Sequence, residues 1–182
     1  REDLFTLIAE LKAAGVKIGF DPNYRPVLWQ SVQQCRDAFC RAYALSDIAL
    51  PGLDDHKVLF NAQSCDDVIT QLKALGTAEI VVKNGKEGAV VFADGERFVM
   101  PAVTVKKVVD TTAAGDSFNG GYLAARLAEQ SPQAAAQLAA ALLAAGAVVG
   151  AQIGTWLLPR LPLPWLRWGF IGFLGVVIVN LL

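Results

Sequence analysis

Charged side chains almost disappear from this chain after residue 137, and no other feature constrains its fold more strongly. Residues 138–182 contain only two of them, Arg160 and Arg167, whereas residues 1–137 carry the other 14 basic and all 17 acidic side chains. A segment with so few charges has to be covered, either by protein or by lipid. The sequence therefore predicts two parts, which meet at about residue 138.

Composition excludes two broad classes of protein. The formal net charge is −1, which argues against a nucleic-acid partner bound through bulk positive charge. Hydrophobic residues make up 54% of the chain and charged residues 18%, so an intrinsically disordered chain is excluded as well. The three cysteines, Cys35, Cys40 and Cys65, have no metal-binding spacing, and they predict free thiols in a reducing compartment.

Residues 1–137 alternate between helical and strand patterns with short connections. This alternation predicts an α/β fold with a doubly wound, mostly parallel sheet. Helices are expected over 2–14, with Leu4, Leu7, Ile8 and Leu11 on one face, and over 31–44, 65–75 and 117–129, with another starting at Ser131-Pro132. Strands are expected over 16–20, 47–50, 79–83 and 103–109, and a hairpin strand over 89–93 between the turn dipeptides Asn84-Gly85 and Asp94-Gly95.

The C-terminal part predicts an apolar helical hairpin. Leu138–Leu158 has only two polar residues and is long enough to cross a bilayer, and Trp165–Leu182 is a second apolar run. Pro159–Pro164 separates the two runs. Two interpretations remain open at this point: a pair of membrane helices, or a buried hairpin of a water-soluble core.

The segment Asp110–Asp116 lies between a predicted strand and a predicted helix, where a phosphate group is easily bound. A helix N-terminus exposes unpaired N–H groups and a partial positive charge. Ala113, Ala114 and Gly115 are small enough to let a phosphate approach the backbone, and Asp116 is placed to accept a proton from an attacking hydroxyl. The residues alone also fit an ordinary capped helix start.

This segment resembles the second signature of the ribokinase-like (PfkB) carbohydrate kinases. The substitution of alanine for the first glycine at Ala113, together with the continuation Ser117–Leu123, is similar to the 2-keto-3-deoxygluconate kinase branch. The resemblance implies that Asp116 is the catalytic base and binds substrate, and that Ala113, Ala114 and Gly115 form the anion hole for ATP. The implied reaction moves the γ-phosphoryl group of ATP to a hydroxyl of a sugar acid.

Two further segments resemble the same family. Phe20–Trp29 is similar to its Asp-x-Asn-x-Arg segment, which implies that Asn23, Tyr24 and Arg25 lie at the nucleotide and that Arg25 also contacts the substrate. The other segment is similar to a Lys-x-Gly-x-x-Gly turn along the nucleotide, in which either lysine supplies charge; its residues are Lys83, Asn84, Gly85, Lys86, Glu87 and Gly88. Taken alone, these segments also fit a surface salt bridge and a plain hairpin.

The stretch Leu50–His56 lies where the family carries an Asn-x-x-Glu motif linked to magnesium. Gly52 stands in place of the Asn and Asp55 in place of the Glu, so Asp55 is the only metal candidate. The resemblance implies Mg²⁺ held mostly by ATP and water. His56, the one histidine, is expected to be solvated or to cap a helix.

The resemblance covers residues 1 to about 140, and it implies the C-terminal part of a ribokinase-like kinase without its N-terminal half. Since that half carries much of the sugar pocket, we expect no useful turnover from this chain alone. Residues after about 145 resemble a sulfite-exporter-like membrane transporter. The alternative is therefore a membrane transport fragment with a kinase-like relic.

The expected partners are a sugar acid and ATP, with no nucleic acid. Membrane contact through residues 138–182 and oligomer formation are left open. The kinase part is expected in the cytoplasm, with membrane association only through the C-terminal hairpin.

Overall fold

The computed structural model describes residues 2–103 and 114–157, with side chains described as far as residue 144. Two short 3₁₀ turns, Pro26–Leu28 and Gly85–Glu87, accompany six helices and five strands in these ranges. The helices are α1 (Glu2–Ala13), α2 (Val32–Leu45), α3 (Leu53–Phe60), α4 (Cys65–Ala74), α5 (Ala114–Leu127) and α6 (Pro132–Leu157). The strands are β1 (Gly19–Phe20), β2 (Ile48–Ala49), β3 (Glu79–Lys83), β4 (Ala89–Ala93) and β5 (Glu96–Met100).

Serine side chains cap three of the helices at their N-termini. Ser31 Oγ accepts a hydrogen bond from the Gln34 amide at 3.1 Å, and Ser131 Oγ accepts one from the Ala134 amide at 3.2 Å. Ser64 forms a reciprocal capping box at the start of α4. Each such cap stabilises its helix by about 1 kcal/mol. The helix start predicted at Ser131-Pro132 is thereby confirmed.

The five strands form one mixed sheet in the order β1-β2-β3-β4-β5. β1, β2 and β3 are parallel to one another, whereas β3, β4 and β5 pair antiparallel. The α/β class is confirmed, but the described sheet is half parallel rather than mostly parallel. The reason is two short turns. The turn closed by Asn84 and Gly88 joins β3 to β4, and Asp94-Gly95, with two positive φ angles, joins β4 to β5 in a tight hairpin. Residues 104–109 of another predicted strand lie outside the described residues.

Helices cover both faces of the sheet because successive side chains of β3 point in opposite directions. Ile80 and Val82 are fully buried in a cluster with α2, α3 and α4. Val81 is fully buried on the other face, in a cluster with α5 and the first half of α6. Because helices cover both faces, a ligand would reach the sheet at the ends of the parallel strands.

Several elements differ from the expectation. Strand β5 was not predicted, β1 is shorter than the predicted strand, and α5 begins before residue 117. Helix α3 was not predicted, because Pro51-Gly52 indicates only the end of a strand. In α1, the buried side chain is Phe5, which lies beneath the guanidinium of Arg41, whereas the expected apolar face of leucines is largely exposed. The exposed leucines of α1 are Leu4, Leu7 and Leu11.

The first half of helix α6 packs into the protein core. Ala135, Ala136 and Ala139 are fully buried against the core, and a Cβ built on Gly121 of α5 would stand 3.1 Å from the Ala139 Cα. Such close approach requires small side chains. Over the described residues, whose side chains extend to residue 144, no helix is long and apolar enough to cross a bilayer, and the membrane span predicted over Leu138–Leu158 is not supported.

The chain divides into two compact units. The first comprises Arg1–Thr104 with Thr112–Leu143, and the second comprises Val105–Thr111 with Ala144–Leu182. Of the second unit, only the continuation of α6 as far as residue 157 is described. The predicted run Trp165–Leu182 lies outside the described residues, and the domain boundary at residue 138 stays a prediction.

The sequence led us to expect a solvated or helix-capping His56. In the structure its side chain is instead fully buried, and the residue lies in α3. Its Nε2 lies 2.9 Å from the hydroxyl of Tyr43. Burial lowers the pKa of His56 to about 4, against the opposing effect of the Gln71 side chain. The imidazole is therefore neutral in the folded chain at pH 7.

The pKa of His56 is 6.5 in the unfolded chain and about 4 in the folded chain. Folding stability is therefore expected to fall as the pH drops from 6.5 to about 4. Protonation favours the unfolded chain in this window, and the difference in pKa corresponds to a loss of about 3 kcal/mol. Urea unfolding at several pH values measures this loss. His56→Gln should flatten the profile between pH 6.5 and 4, and an unchanged slope would contradict the assignment.

Candidate active site

The carboxyl ends of β1, β2 and β3 meet at one edge of the sheet. Asp21 follows β1 directly, Gly52 follows β2 after two residues, and Lys83 ends β3. Gly52 and Lys83 form a further parallel bridge, and the Lys83 amide donates to the Pro51 carbonyl at 2.8 Å. Ligands of α/β sheets bind in crevices at such carboxyl ends. The edge is therefore the candidate site.

A carboxylate at this edge joins three distant segments of the chain. Asp21 Oδ2 accepts hydrogen bonds from Lys83 Nζ at 3.0 Å and from Asn119 Nδ2 at 2.6 Å. The Asp21 and Lys83 side chains are only 24% and 19% exposed, so the ion pair is well shielded from water. Removing either partner would leave a shielded charge without its counter-ion, which is costly. Through Asn119, the pair fixes α5 against the strand ends.

Asp55, in the first turn of α3, lies in the same neighbourhood. Its Oδ2 accepts a hydrogen bond from the Tyr24 amide at 3.2 Å. Burial raises the pKa of the Asp55 carboxyl and the negative charge of Asp21 adds to the rise, whereas the Tyr24 hydrogen bond and the charges of Lys83 and Arg25 lower the pKa. The structure therefore brings the Asp-x-Asn-x-Arg segment, the Leu50–His56 stretch and β3 together.

The turn after β3 separates the two lysines that the sequence left as alternatives. Lys83 turns into the site, whereas the Lys86 side chain is 93% exposed and stands 4.0 Å from Glu87. Asn84 closes the turn by donating its amide to the Gly88 carbonyl at 2.8 Å. Of the two lysines, only Lys83 faces the other predicted site segments.

The turn depends on glycine at two positions. Gly85 and Gly88 have φ angles of 52° and 102°, a region that other residues rarely adopt. At Gly88 a side chain would also collide with backbone, because a Cβ would lie 2.0 Å from the Met100 carbonyl oxygen. Glycine at position 88 therefore allows the turn to lie flat against the end of β5.

The first turn of α5 lies against the ammonium group of Lys83. A Cβ built on Gly115 would stand 3.6 Å from Lys83 Nζ. Ala114 precedes Gly115 at the start of the described helix, and the exposed Asp116 follows it. Residues 110–113, including Ala113 of the predicted anion hole, lie outside the described residues. The role of Asp116 as base therefore stays a prediction.

The donor groups fit a magnesium ion that is held mainly by a nucleotide. Over the described residues there is no group of three or more histidine, cysteine, aspartate or glutamate side chains that could hold a metal ion. Asp21 is already occupied by Lys83 and Asn119, which leaves Asp55 as the carboxylate next to the site. Mg²⁺ commonly takes one or two carboxylates and completes its octahedron with water and phosphate oxygens.

Sequence reasoning did not single out Asp21 and Asn119 as site residues. Asn119 is only 8% exposed, and it lies on α5 between the buried residues Phe118 and Tyr122. In the described part of the chain, its Oδ1 has no hydrogen-bond partner. The sequence did contain one signal for Asn119. It is a polar residue among aromatic neighbours, and three positions after Asp116 it lies on the same face of the helix.

Known proteins match most of this chain. The profile of the pfkB family carbohydrate kinases matches residues 1–155. A 2-dehydro-3-deoxygluconokinase of Escherichia coli (strain K12) is 44% identical over 138 residues, which are 74% of this chain and 45% of that protein. The chain thus spans about half the length of the curated relatives that it matches.

Solved structures share the fold. An aminoimidazole riboside kinase from Salmonella enterica, complexed with aminoimidazole riboside and an ATP analogue, matches with a TM-score of 0.71 and 28% identity over 80% of this chain and 50% of that chain. A protein designated ribokinase II from E. coli, in complex with ATP and Mg²⁺, matches with a TM-score of 0.68 and 31% identity over 77% and 45%.

The C-terminal resemblance to an exporter finds no support in these comparisons, since the family profile continues to residue 155. The three kinase-like segments, by contrast, fall within the matched range, and parts of each meet at one sheet edge. Profile, relatives and fold all lead to one conclusion: this chain belongs to the pfkB family of carbohydrate kinases.

Proposed function

We propose that the chain contributes the nucleotide-binding and catalytic part of an ATP-dependent kinase of 2-keto-3-deoxygluconate, also called 2-dehydro-3-deoxygluconate. The observation that carries the proposal is the convergence of Asp21, Lys83 and Asn119, since it brings three separate kinase-like segments to one strand edge. The identity with 2-dehydro-3-deoxygluconokinases supports the choice of a sugar acid as substrate.

The proposed chemistry depends on positioning and charge. The γ-phosphoryl group of ATP lies at the N-terminus of α5, where the amides of Ala113, Ala114 and Gly115 stabilise its oxygens. Asp116 accepts the proton of the sugar hydroxyl as that oxygen bonds to the γ-phosphorus, and the bond to ADP breaks, so that ADP leaves. Arg25 holds the carboxylate of the sugar acid through paired hydrogen bonds.

The residues flanking this chemistry bind the nucleotide. Asn23 and Tyr24 lie beside it, and the turn of Asn84, Gly85, Lys86, Glu87 and Gly88 follows its length. Asp55 is the carboxylate that would help to hold Mg²⁺, which would neutralise charge on the ATP phosphates and be held mostly by ATP and water. An ATP-consuming enzyme whose three cysteines, all within the described residues, form no disulfide suits the cytoplasm, which is our proposal for its location.

ATP binding by the purified chain tests the proposal. We expect weak but measurable binding by isothermal titration calorimetry in excess Mg²⁺. Lys83→Met should weaken this binding by about tenfold, because a charge-assisted hydrogen bond to phosphate is lost. Lys86→Met should have a smaller effect, since the Lys86 side chain is 93% exposed.

Circular dichroism spectra of both variants serve as the control for folding. No ATP binding by the well-folded wild-type chain would contradict the proposed function. A larger loss for Lys86→Met than for Lys83→Met would reverse the assignment of the two lysines.

A further inference from the structure

The carboxylate of Asp21 is held by three donors from different parts of the chain. Lys83 Nζ and Asn119 Nδ2 both donate to Oδ2, at 3.0 and 2.6 Å. The Asn23 amide donates to Oδ1 at 3.3 Å. Asp21 therefore has a fixed position directly beside the ammonium group, rather than one of several surface orientations.

The ammonium group of Lys83 lies in a place that requires a counter-ion. It is largely shielded from water, and it lies against Gly115 in the first turn of α5, where the helix carries a partial positive charge. An unpaired cation at such a position is costly. In the described chain, Asp21 forms the ion pair that offsets it, and the carboxyl of Asp55 also interacts with its charge.

A polyphosphate placed at the same helix start competes with that carboxylate. Its oxygens and Asp21 Oδ2 are alternative acceptors for one ammonium group. They also repel one another, and the nearby carboxyl of Asp55 adds to the repulsion. Removing the charge of Asp21 therefore favours the bound anion twice, by releasing Lys83 and by reducing repulsion.

We propose that Asp21 is the built-in counter-ion of Lys83 and that it limits the affinity of the site for nucleotide phosphates. The proposal rests on the proposed function, because it takes the anion to be the phosphates of ATP. When nucleotide binds, Lys83 exchanges the carboxylate for a phosphate oxygen, and when nucleotide leaves, the ion pair forms again. The pair thus favours release of the nucleotide.

Asn119 is the positioning residue for this exchange. It is uncharged and buried, and its Nδ2 donates to Asp21 Oδ2, which keeps the carboxylate in place while Lys83 changes partner. Its Oδ1 has no hydrogen-bond partner in the described ranges. The hydrogen bond to Asp21 is therefore the polar contact through which Asn119 acts.

Calorimetric titration of the full 182-residue chain with ATP in excess Mg²⁺ tests the proposal. Asp21→Asn is expected to tighten ATP binding by about three- to tenfold, because a negative charge beside the bound phosphates is removed and solvent screens part of its effect. The matched control is Asp66→Asn, which makes the same change in net charge at an exposed ion pair with Arg97. It should change ATP affinity less than about twofold.

Weaker or unchanged ATP binding by Asp21→Asn, with binding by the wild-type chain intact, would overturn this proposal and leave the proposed function standing. Binding by neither chain would contradict both. If Asp21→Asn does not fold, Asp21→Ser removes the same charge, and the same tightening is expected.

Nuclear magnetic resonance of the lysine ammonium groups gives a readout on the wild-type chain. The ¹⁵Nζ signal of Lys83 should shift when ATP saturates the site. The signal of Lys57, which is paired with Asp54 on the surface, should not. A Lys83 signal that stays in place at saturation would overturn the exchange of partners.

Discussion

Replacing Asp116 by asparagine is expected to lower the kcat of sugar phosphorylation by about 100- to 10,000-fold, the usual contribution of a general base. Affinity for ATP should stay nearly constant, because in the proposed site the backbone amides of α5 hold the phosphate. Asp116 lies in the first turn of α5, one residue after the glycine that contacts Lys83, and it is exposed and therefore accessible to a substrate hydroxyl.

The measurement requires a full-length enzyme, since the chain spans about half the length of its relatives. Joining it to the part of the E. coli relative that it does not match supplies the rest. Asp94→Asn is a suitable control, because Asp94 is an exposed carboxylate in the β4–β5 turn with φ of 55°, which asparagine tolerates. If Asp116→Asn kept most of the activity, another group would have to be the base.

Some parts of the fold could be predicted closely from the sequence. β3 and β4 have the predicted bounds, because β-branched and apolar runs are flanked by turn dipeptides with suitable φ angles. The meeting of the site segments was also predictable in outline. Each follows a strand, and the carboxyl ends of parallel strands lie at one edge.

The detailed contacts of the site could not be predicted, because they join residues far apart in the chain. Asp21 and Lys83 are 62 positions apart, and Asp21 and Asn119 are 98 apart. No local pattern encodes such a pairing. The burial of His56 was hidden for a similar reason, since its partner Tyr43 lies on another helix and its two preceding neighbours are aspartates.

The alanine-rich C-terminal region shows a different limit of sequence reasoning. A helix that is apolar on all sides can be surrounded by lipid or by protein, and composition alone does not distinguish these cases. In the described part of α6, Ala135, Ala136 and Ala139 pack into the core beside α5. Close packing against α5 explains the small side chains at these positions.

Replacing Gly88 by alanine should destabilise the fold by at least about 3 kcal/mol, well above the effect of an ordinary substitution. The residue has φ of 102° and ψ of −130°, which L-amino acids rarely adopt. In addition, the new Cβ would lie 2.0 Å from the Met100 carbonyl oxygen and 2.5 Å from the Ala102 amide nitrogen. These are backbone atoms, so no side-chain rotation relieves the collision.

Gly95→Ala separates the strain of a positive φ from the collision with backbone atoms. Gly95 also has a positive φ, 82°, but nothing lies within 4 Å of a Cβ built there, so its replacement should cost only about 1–2 kcal/mol. Urea unfolding of both variants measures the difference. The additional loss of stability in Gly88→Ala reports how tightly the turn lies against the end of β5. Because the turn also positions Lys83, Gly88→Ala should weaken ATP binding as well. Equal losses of stability in the two variants would show that the turn can move away from β5 at little cost.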